Sequence, residues 1–272
     1  MARHASRNDT WIHELTINFE DGSTETFFIE LTRTGTFVLP EMPTDPLPWT
    51  KLEHCKCPCC PLSAAFERCP AAESLETTLL RLRARNSCEV VDAVIIDGAN
   101  RATTVHWQLQ EVGSTFVQLA VFASSCPVGR KFKSLLRDLR PFSTSNELGQ
   151  HLISKFLLKY RGEVGETKRE VMDQLEPLRI VFQSLSKRLS GIGSKEGGDA
   201  VANSIINLDA FALNISVHLE EAFDEILEDL GWDDNGHTSE ITLPTPEGEA
   251  YLVAERSKPT FWERICGIFK RR

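Results

Sequence analysis

Cysteines are concentrated in one short stretch of the chain, from Cys55 to Cys69. Of the eight cysteines, five lie within these fifteen residues. Cys57 and Cys60 form a Cys-x2-Cys pair, a spacing that lets two thiolates reach one tetrahedral metal ion from a single turn. Cys57, Cys60, Cys69 and Cys126 each precede a proline, which favours the extended or turn backbone that a ligand loop needs. The sequence therefore predicts a metal site formed by these four cysteines.

The identity of the bound species is open at this point. The first prediction is structural zinc on the four cysteines that precede proline, with Cys55 and Cys59 as alternative ligands. The second hypothesis is an iron–sulfur cluster on the same ligands, because a cysteine followed by proline also occurs in ferredoxin-type ligand runs. The remaining alternative is a set of reduced cysteines that pack as small hydrophobic side chains.

Short motifs around the cysteines and in a later helical part carry a family resemblance. They are Leu47-Pro-Trp49-Thr-x-Leu52, Cys57-x-x-Cys60-Pro-Leu62, Cys69-Pro-Ala71, Ser125-Cys126-Pro127, Arg188-Leu189 and Asn207-Leu208-Asp209. With them the chain resembles an uncharacterised bacterial family, a domain of unknown function with four cysteines in Cys-Pro contexts and a C-terminal helical region. The resemblance covers about residues 10 to 220. It implies an architecture and a four-cysteine site, and it implies no activity. The cysteines at 55 and 59 and the C-terminal tail depart from the family pattern.

The composition of the 272-residue chain is that of a globular protein, with 41% hydrophobic and 25% charged residues. A net charge of −9 argues against nonspecific nucleic-acid binding, so no nucleic acid is expected as a partner. We see no apolar signal segment at the N-terminus and no apolar run long enough to span a membrane. Eight cysteines without a signal then favour metal ligation in a reducing compartment over disulfides. We expect a cytoplasmic location, with a peripheral position on the inner face of the membrane as a further hypothesis.

The N-terminal half alternates between strand-like and helix-like segments. Two pairs of strand-like runs flank the turn sequences Asp21-Gly22 and Asp97-Gly98, which indicates two β-hairpins. The predicted elements are strands 11–20, 24–31, 36–39, 88–97 and 102–110, and helices 73–85 and 112–124. We therefore predict an α+β domain over residues 1–140, in which an antiparallel sheet and helices carry the Cys-rich metal-binding loop.

The C-terminal half is predicted to be helical. Apolar residues recur every three or four positions and indicate helices over 146–161, 166–190 and 199–230. This pattern predicts a helical hairpin or bundle domain over 146–232, followed by a linker or terminal β-hairpin over 233–258. Between residues 196 and 255 there are fifteen Asp and Glu and no Lys or Arg. We favour a solvated helix face as the explanation, over a surface for a basic partner.

The last fourteen residues, 259–272, are predicted to form an amphipathic helix. Six basic and two acidic side chains give the last eighteen residues a net charge of +4. An aromatic and basic tail predicts contact with an anionic membrane surface, and docking on a partner or on its own domain is the alternative. The predicted contact residues are Phe261, Trp262, Ile265, Ile268, Phe269, Lys270, Arg271 and Arg272.

The sequence lacks the motifs of several common enzyme classes. It has no phosphate-binding glycine loop, no Gly-x-Ser-x-Gly elbow and no His-Glu-x-x-His zinc motif. We predict no catalytic residues and a non-enzymatic intracellular role, as a zinc-stabilised interaction or scaffold protein with a protein partner. The alternatives are an iron–sulfur redox or sensing protein and, after that, an enzyme whose site the sequence does not reveal.

Overall fold

The computed structural model describes residues 10–32, 37–38, 47–137, 140–159, 164–190, 199–217 and 219–231. They form the predicted α+β fold, with an antiparallel sheet in the N-terminal half and helices in the C-terminal half. The strands are β1 (Thr10–Asn18), β2 (Thr24–Thr32), β3 (Phe37–Val38), β4 (Val90–Ile96) and β5 (Ala102–Gln108). The helices are α1 (Pro70–Glu73), α2 (Glu76–Leu82), α3 (Leu109–Ala123), α4 (Ser145–Lys159), α5 (Val164–Leu189), α6 (Ala200–Val217) and α7 (Leu219–Leu230). The predicted tail helix lies outside the described residues.

The five strands form one sheet in the order β3-β2-β1-β4-β5, and every neighbouring pair is antiparallel. Both predicted hairpins are present, and they join edge to edge through β1 and β4. Leu15 on β1 lies opposite Phe27 on one side and Ile95 on the other. All three are buried, so one row of apolar side chains crosses three strands on the inner face of the sheet.

The first hairpin turns at the predicted Asp21-Gly22 step. Gly22 has a φ of +81°, a left-handed conformation that glycine adopts without steric cost. The Asp21 carboxylate accepts a 2.9 Å hydrogen bond from the Ser23 backbone N–H and a 2.8 Å bond from the Arg85 guanidinium. The hydrogen bond from the Ser23 hydroxyl, followed by these two bonds, holds the pKa of Asp21 at about 2, below its ordinary value. The turn is therefore fixed by its own side chain as well as by the glycine.

Helix α3 packs against the inner face of the sheet. The rings of Phe116 on α3 and Phe27 on β2 lie 5.4 Å apart between centroids. Almost every residue of α3 from Val112 onward is buried, so the helix has neighbours on nearly all sides. One of them is α6, where a Cβ added to Gly113 would come within 2.1 Å of the Ser204 Oγ. Glycine at position 113 therefore permits close contact between the two helices.

Some helix limits differ from the sequence prediction. The helix predicted over 73–85 is present as the shorter α2, whereas α1, which ends at residue 73, was not predicted. Helix α3 begins at Leu109, three residues before the predicted start, because Gln108 and Glu111 form a capping box. The long helix predicted over 199–230 is described as α6 and α7, on either side of residue 218.

The chain divides into two compact units. The first contains residues 1–144 and 174–213, and the second contains residues 145–173 and 214–272. The division passes through α5, so part of the predicted helical segment groups with the sheet. The predicted domain limits stay a prediction, since compactness does not show which segments fold independently.

In the second unit, α4 lies against α7, and each helix carries a buried phenylalanine, Phe156 on α4 and Phe223 on α7. The Lys168 ammonium pairs with the carboxylates of Glu220 and Asp224, so this lysine neutralises part of the acidic face of α7. None of the helices in the described part of the chain has the length and hydropathy to cross a membrane.

Candidate metal centre

The Cys-rich segment forms a loop, residues 53–66, whose two ends are joined by backbone hydrogen bonds. The Leu52 N–H donates to the Glu67 carbonyl at 2.8 Å, and the Cys69 N–H donates to the Thr50 carbonyl at 2.7 Å. A long irregular loop with closed ends can hold side chains in place without being a helix or strand itself. This closure fixes the base of the loop and brings Cys69 back towards its start.

Cys57 and Cys60 lie on one tight turn of this loop. The Cys60 N–H donates to the Cys57 carbonyl at 2.9 Å, the hydrogen bond of a four-residue turn. Both side chains are half-buried. Cys69 is buried and directly precedes Pro70, the first residue of α1, a helix position that suits proline. The Cys57-Pro step therefore lies in a turn and the Cys69 backbone is extended, the two geometries that the sequence predicted.

Cys126 comes from a separate part of the chain, just beyond α3. Its backbone N–H donates to the Ser124 Oγ at 3.2 Å, and its sulfur accepts hydrogen bonds from the backbone N–H groups of Val128 and Gly129. Two N–H donors directed at one sulfur favour its thiolate form. A Cβ on residue 129 would come within 2.5 Å of the Val121 carbonyl oxygen, so this loop requires glycine.

The four predicted ligands line one small cavity within the first unit. Cys57, Cys60, Cys69 and Cys126 form part of its wall, and a face of α5 that includes Ser184 forms another part. About 20 Å³ is open to the centre of a water-sized sphere, which is room for one ion or one to two water molecules. The structure thus brings together four cysteines that are up to sixty-nine residues apart in sequence.

The two alternative ligands do not line this cavity. Cys55 is exposed and has a φ of 51°. Cys59 is half-buried, and its thiol lies 3.9 Å from the Pro177 carbonyl oxygen of α5. The described geometry therefore favours the first set of ligands over the alternative one, although the metal role of either set stays a prediction.

Burial disfavours the thiolate form of the cysteines in this cavity when no metal ion is bound. Burial raises the pKa of the Cys126 thiol to about 11, despite the two N–H groups at its sulfur. Burial also raises the pKa of Cys57, which the Ser184 hydroxyl lowers and the neighbouring cysteines, Cys69 first among them, raise again. A bound divalent cation reverses this balance, because it stabilises the deprotonated form of each thiol that it ligates.

The thiols do not already converge on one point. Among the described residues, no group of three or more His, Cys, Asp or Glu side chains is arranged to hold a metal ion as it stands, and the described cysteines are free thiols. The shared cavity supports a metal site, whereas the lack of convergence of the thiols argues against one. We give more weight to the cavity, because the backbone fixes its walls, whereas a χ1 rotation at each cysteine moves the sulfur atom.

Three residues around the cysteines escaped the sequence prediction of the site. Ser184 bonds to Cys57, Gly129 donates to Cys126, and Arg188 lines the cavity. Arg188 left a detectable signal, because it lies at a buried position on the otherwise apolar stripe of α5, three residues after Leu185. A positive charge at such a position indicates a specific set of acceptors.

A protein-family model matches most of the chain. Residues 14–230 match the family model described as "Domain of unknown function (DUF6901)". The chain belongs to this family. All four predicted ligands lie within the DUF6901 match, and the predicted resemblance to an uncharacterised family is confirmed. The tail, residues 259–272, lies beyond it. No curated protein and no solved structure matches the chain.

Proposed function

We propose that this DUF6901 protein is a non-enzymatic interaction or scaffold protein whose first unit is stabilised by one structural zinc ion on Cys57, Cys60, Cys69 and Cys126. The observation that carries the proposal is the single cavity lined by four thiols from separate chain segments. A tetrahedral ion ligated there would join the Cys57–Cys60 turn to the start of α1 and to the end of α3. Such a cross-link stabilises the fold without a chemical step.

The size of the cavity favours zinc over an iron–sulfur cluster. Its open volume of about 20 Å³ suits a single ion, whereas two or four irons with bridging sulfides occupy several atomic diameters. The same volume argues for a structural role over catalysis, because an organic substrate needs a far larger pocket, on the order of 300 Å³ or more. The four-cysteine ligand set also matches closed structural zinc sites, which leave no coordination position for a substrate.

The test is metal analysis and a visible spectrum of the full chain purified without oxygen. We expect about one zinc per chain and no colour, and replacement by Co²⁺ should give the charge-transfer absorption of thiolate ligands. Iron with sulfide and absorption near 400 nm, the signature of a Cys-ligated cluster, would overturn zinc in favour of a redox or sensing role. A metal-free protein with a full complement of reduced thiols would overturn the metal site altogether.

Matched cysteine variants locate the ligands. Cys126→Ser should lose the metal, because its sulfur lines the cavity and is buried. Cys88→Ser removes an exposed cysteine outside the cavity and should retain it. Cys59→Ser separates the two ligand sets, since the proposal requires this variant to bind zinc as the unmodified chain does. If Cys59→Ser alone lost zinc, Cys59 would be a ligand in place of one of the four cysteines.

The second part of the proposal concerns the tail, residues 259–272, and it is supported by the sequence alone. Aromatic and basic side chains in helical spacing suit an anionic bilayer surface, where each basic residue contributes about 1 kcal/mol. The full chain should sediment with vesicles that contain anionic phosphatidylserine, and less with neutral phosphatidylcholine vesicles. A chain that ends at residue 258 should remain in the supernatant. Equal sedimentation of the two chains would leave partner or intramolecular docking as the role of the tail.

A further inference from the structure

The side chain of Arg188 is one of the largest fully buried groups of the protein. Only 2% of the residue is exposed. Its guanidinium donates to the backbone carbonyls of Trp49, Lys51 and Leu52 at 2.8, 2.6 and 3.0 Å. Within the described residues no carboxylate pairs with it, and its buried Nε has no hydrogen-bond partner. A buried cation of this kind is costly unless negative charge lies nearby.

These three carbonyls belong to the segment that holds the cysteine loop. Thr50, within the same segment, accepts the hydrogen bond from the Cys69 N–H. Arg188 also lines the cavity of the four cysteines, one helical turn after Ser184, which bonds to Cys57. One face of α5 therefore binds the base of the loop through Arg188 and lines the cavity of the four proposed ligands.

The charge of the proposed centre complements this arginine. Four thiolates on a divalent ion carry a net charge of −2, and such a centre needs positive charge or N–H donors around it. Among the residues that line the cavity, Arg188 is the charged one. Lys131 and Glu176 lie beside Cys59, outside the cavity wall. Two basic sequence neighbours of the cysteines, Lys56 and Arg68, are paired with glutamates.

We propose that Arg188 is the positioning residue and counter-charge of a dianionic tetrathiolate centre that binds a soft divalent metal ion. This rests on the proposed zinc site and adds the charge state of that site. Without metal, the guanidinium is compensated by carbonyl dipoles alone. With metal, the centre supplies the anion that the buried cation lacks, and metal binding and the closure of the loop reinforce each other.

The test compares the unmodified full chain with Arg188→Met, Arg188→Lys and a control, Leu189→Ala, which removes a buried neighbour that does not line the cavity. Each protein is loaded with Zn²⁺, and the pH of half-release to a chromophoric chelator is measured. We expect Arg188→Met to raise this pH by about one unit, the low end of the effect of a neighbouring opposite charge, because its thiolates protonate more readily. Arg188→Lys should stay near the unmodified value although it melts at a lower temperature.

The control separates charge from structure. Leu189→Ala should lower the melting temperature and leave the pH of half-release unchanged. If Arg188→Met does not fold, the Co²⁺-loaded Arg188→Lys variant is the test. Retained charge-transfer absorption with a half-release pH near the unmodified value agrees with the inference. A rise of about one unit in the half-release pH of Arg188→Lys overturns it. An unmodified chain without metal overturns the zinc proposal itself. A metal-loaded chain whose half-release pH is the same in Arg188→Met overturns only the role of Arg188.

Discussion

The cysteine loop and the β-sheet of the same unit are stabilised in different ways. No residue from 53 to 67 is buried, whereas the inner positions of β1 and β2 are almost completely buried. The sheet has a continuous ladder of backbone hydrogen bonds, while the loop has such bonds mainly at its two ends. A segment without a core of its own does not offset the entropy lost on ordering it. From this comparison we expect that the loop depends on a cross-link and that the sheet does not.

Arg188 and the four thiols are the groups that can provide this cross-link. Arg188 binds three carbonyls at the base of the loop, and the cysteines at 57 and 60 turn towards a cavity that Cys69 and Cys126 also line. A structural zinc ion contributes folding free energy where packing cannot. Substitutions in the loop or in the sheet layer should therefore show whether the stability of one depends on the other.

The largest effect should come from Cys57→Ser, which removes one proposed zinc ligand from the loop. Zinc should be lost, and the free energy of unfolding should fall by several kcal/mol, out of the roughly 10 kcal/mol that structural zinc can supply. Amide hydrogen exchange should become fast over residues 53–66 before it does so in β1. Cys88→Ser, at an exposed position, is the control for lost thiols. Unchanged melting and exchange in Cys57→Ser would show that the loop needs no cross-link.

Gly129→Ala should have the next largest effect. The new Cβ would lie 2.5 Å from the Val121 carbonyl oxygen and 3.0 Å from its Cγ1, so the Cys126 loop has to shift. We expect a loss of about 2–4 kcal/mol in unfolding free energy and weaker zinc binding in a chelator competition. Gly165→Ala adds the same methyl group where nothing lies within 4 Å, and it should be neutral or slightly stabilising. Similar losses in both variants would contradict the steric explanation.

Gly113→Ala perturbs the helix layer behind the sheet and should leave the loop intact. Its Cβ would meet Ser204 Oγ at 2.1 Å, which should cost about 1–3 kcal/mol through displacement of α3 from α6. Zinc content should remain that of the unmodified chain. Ser204→Ala removes the oxygen, so the double variant should recover part of the loss in a double-mutant cycle. Additive losses would show that the two helices are not in tight contact at this point.

The smallest effect should come from Asp21→Asn in the first hairpin turn. The pKa of Asp21 is lowered to about 2 in the folded chain, while an unfolded chain has the ordinary value near 3.9. Its contribution is therefore fully present above about pH 4 and is lost as the pH falls towards 2. Urea unfolding midpoints of the two chains should differ slightly at pH 5 and converge at pH 2. A constant difference across this range would exclude the ionised carboxylate as the cause.

Local sequence patterns predicted the strands well because their causes are local. Alternating side chains around Asp21-Gly22 and Asp97-Gly98 specify hairpins without reference to the rest of the chain. The short helix α1 was not predicted, because four residues are too few to show an apolar periodicity. The early start of α3 depends on a side-chain cap at Gln108, which apolar periodicity does not reveal.

The sequence by itself determined the hairpins, the helical half, the family and a set of four cysteines that precede proline, because residue type and near-neighbour spacing are sufficient for those features. Only the tertiary structure decided that the two hairpins meet through β1 and β4, and that Cys126 lies at the same cavity as Cys57. It also assigned Arg188 to the carbonyls at the base of the loop, 136 to 139 residues earlier in the chain. Such contacts depend on how buried surfaces fit together, and sequence spacing carries no information about that fit.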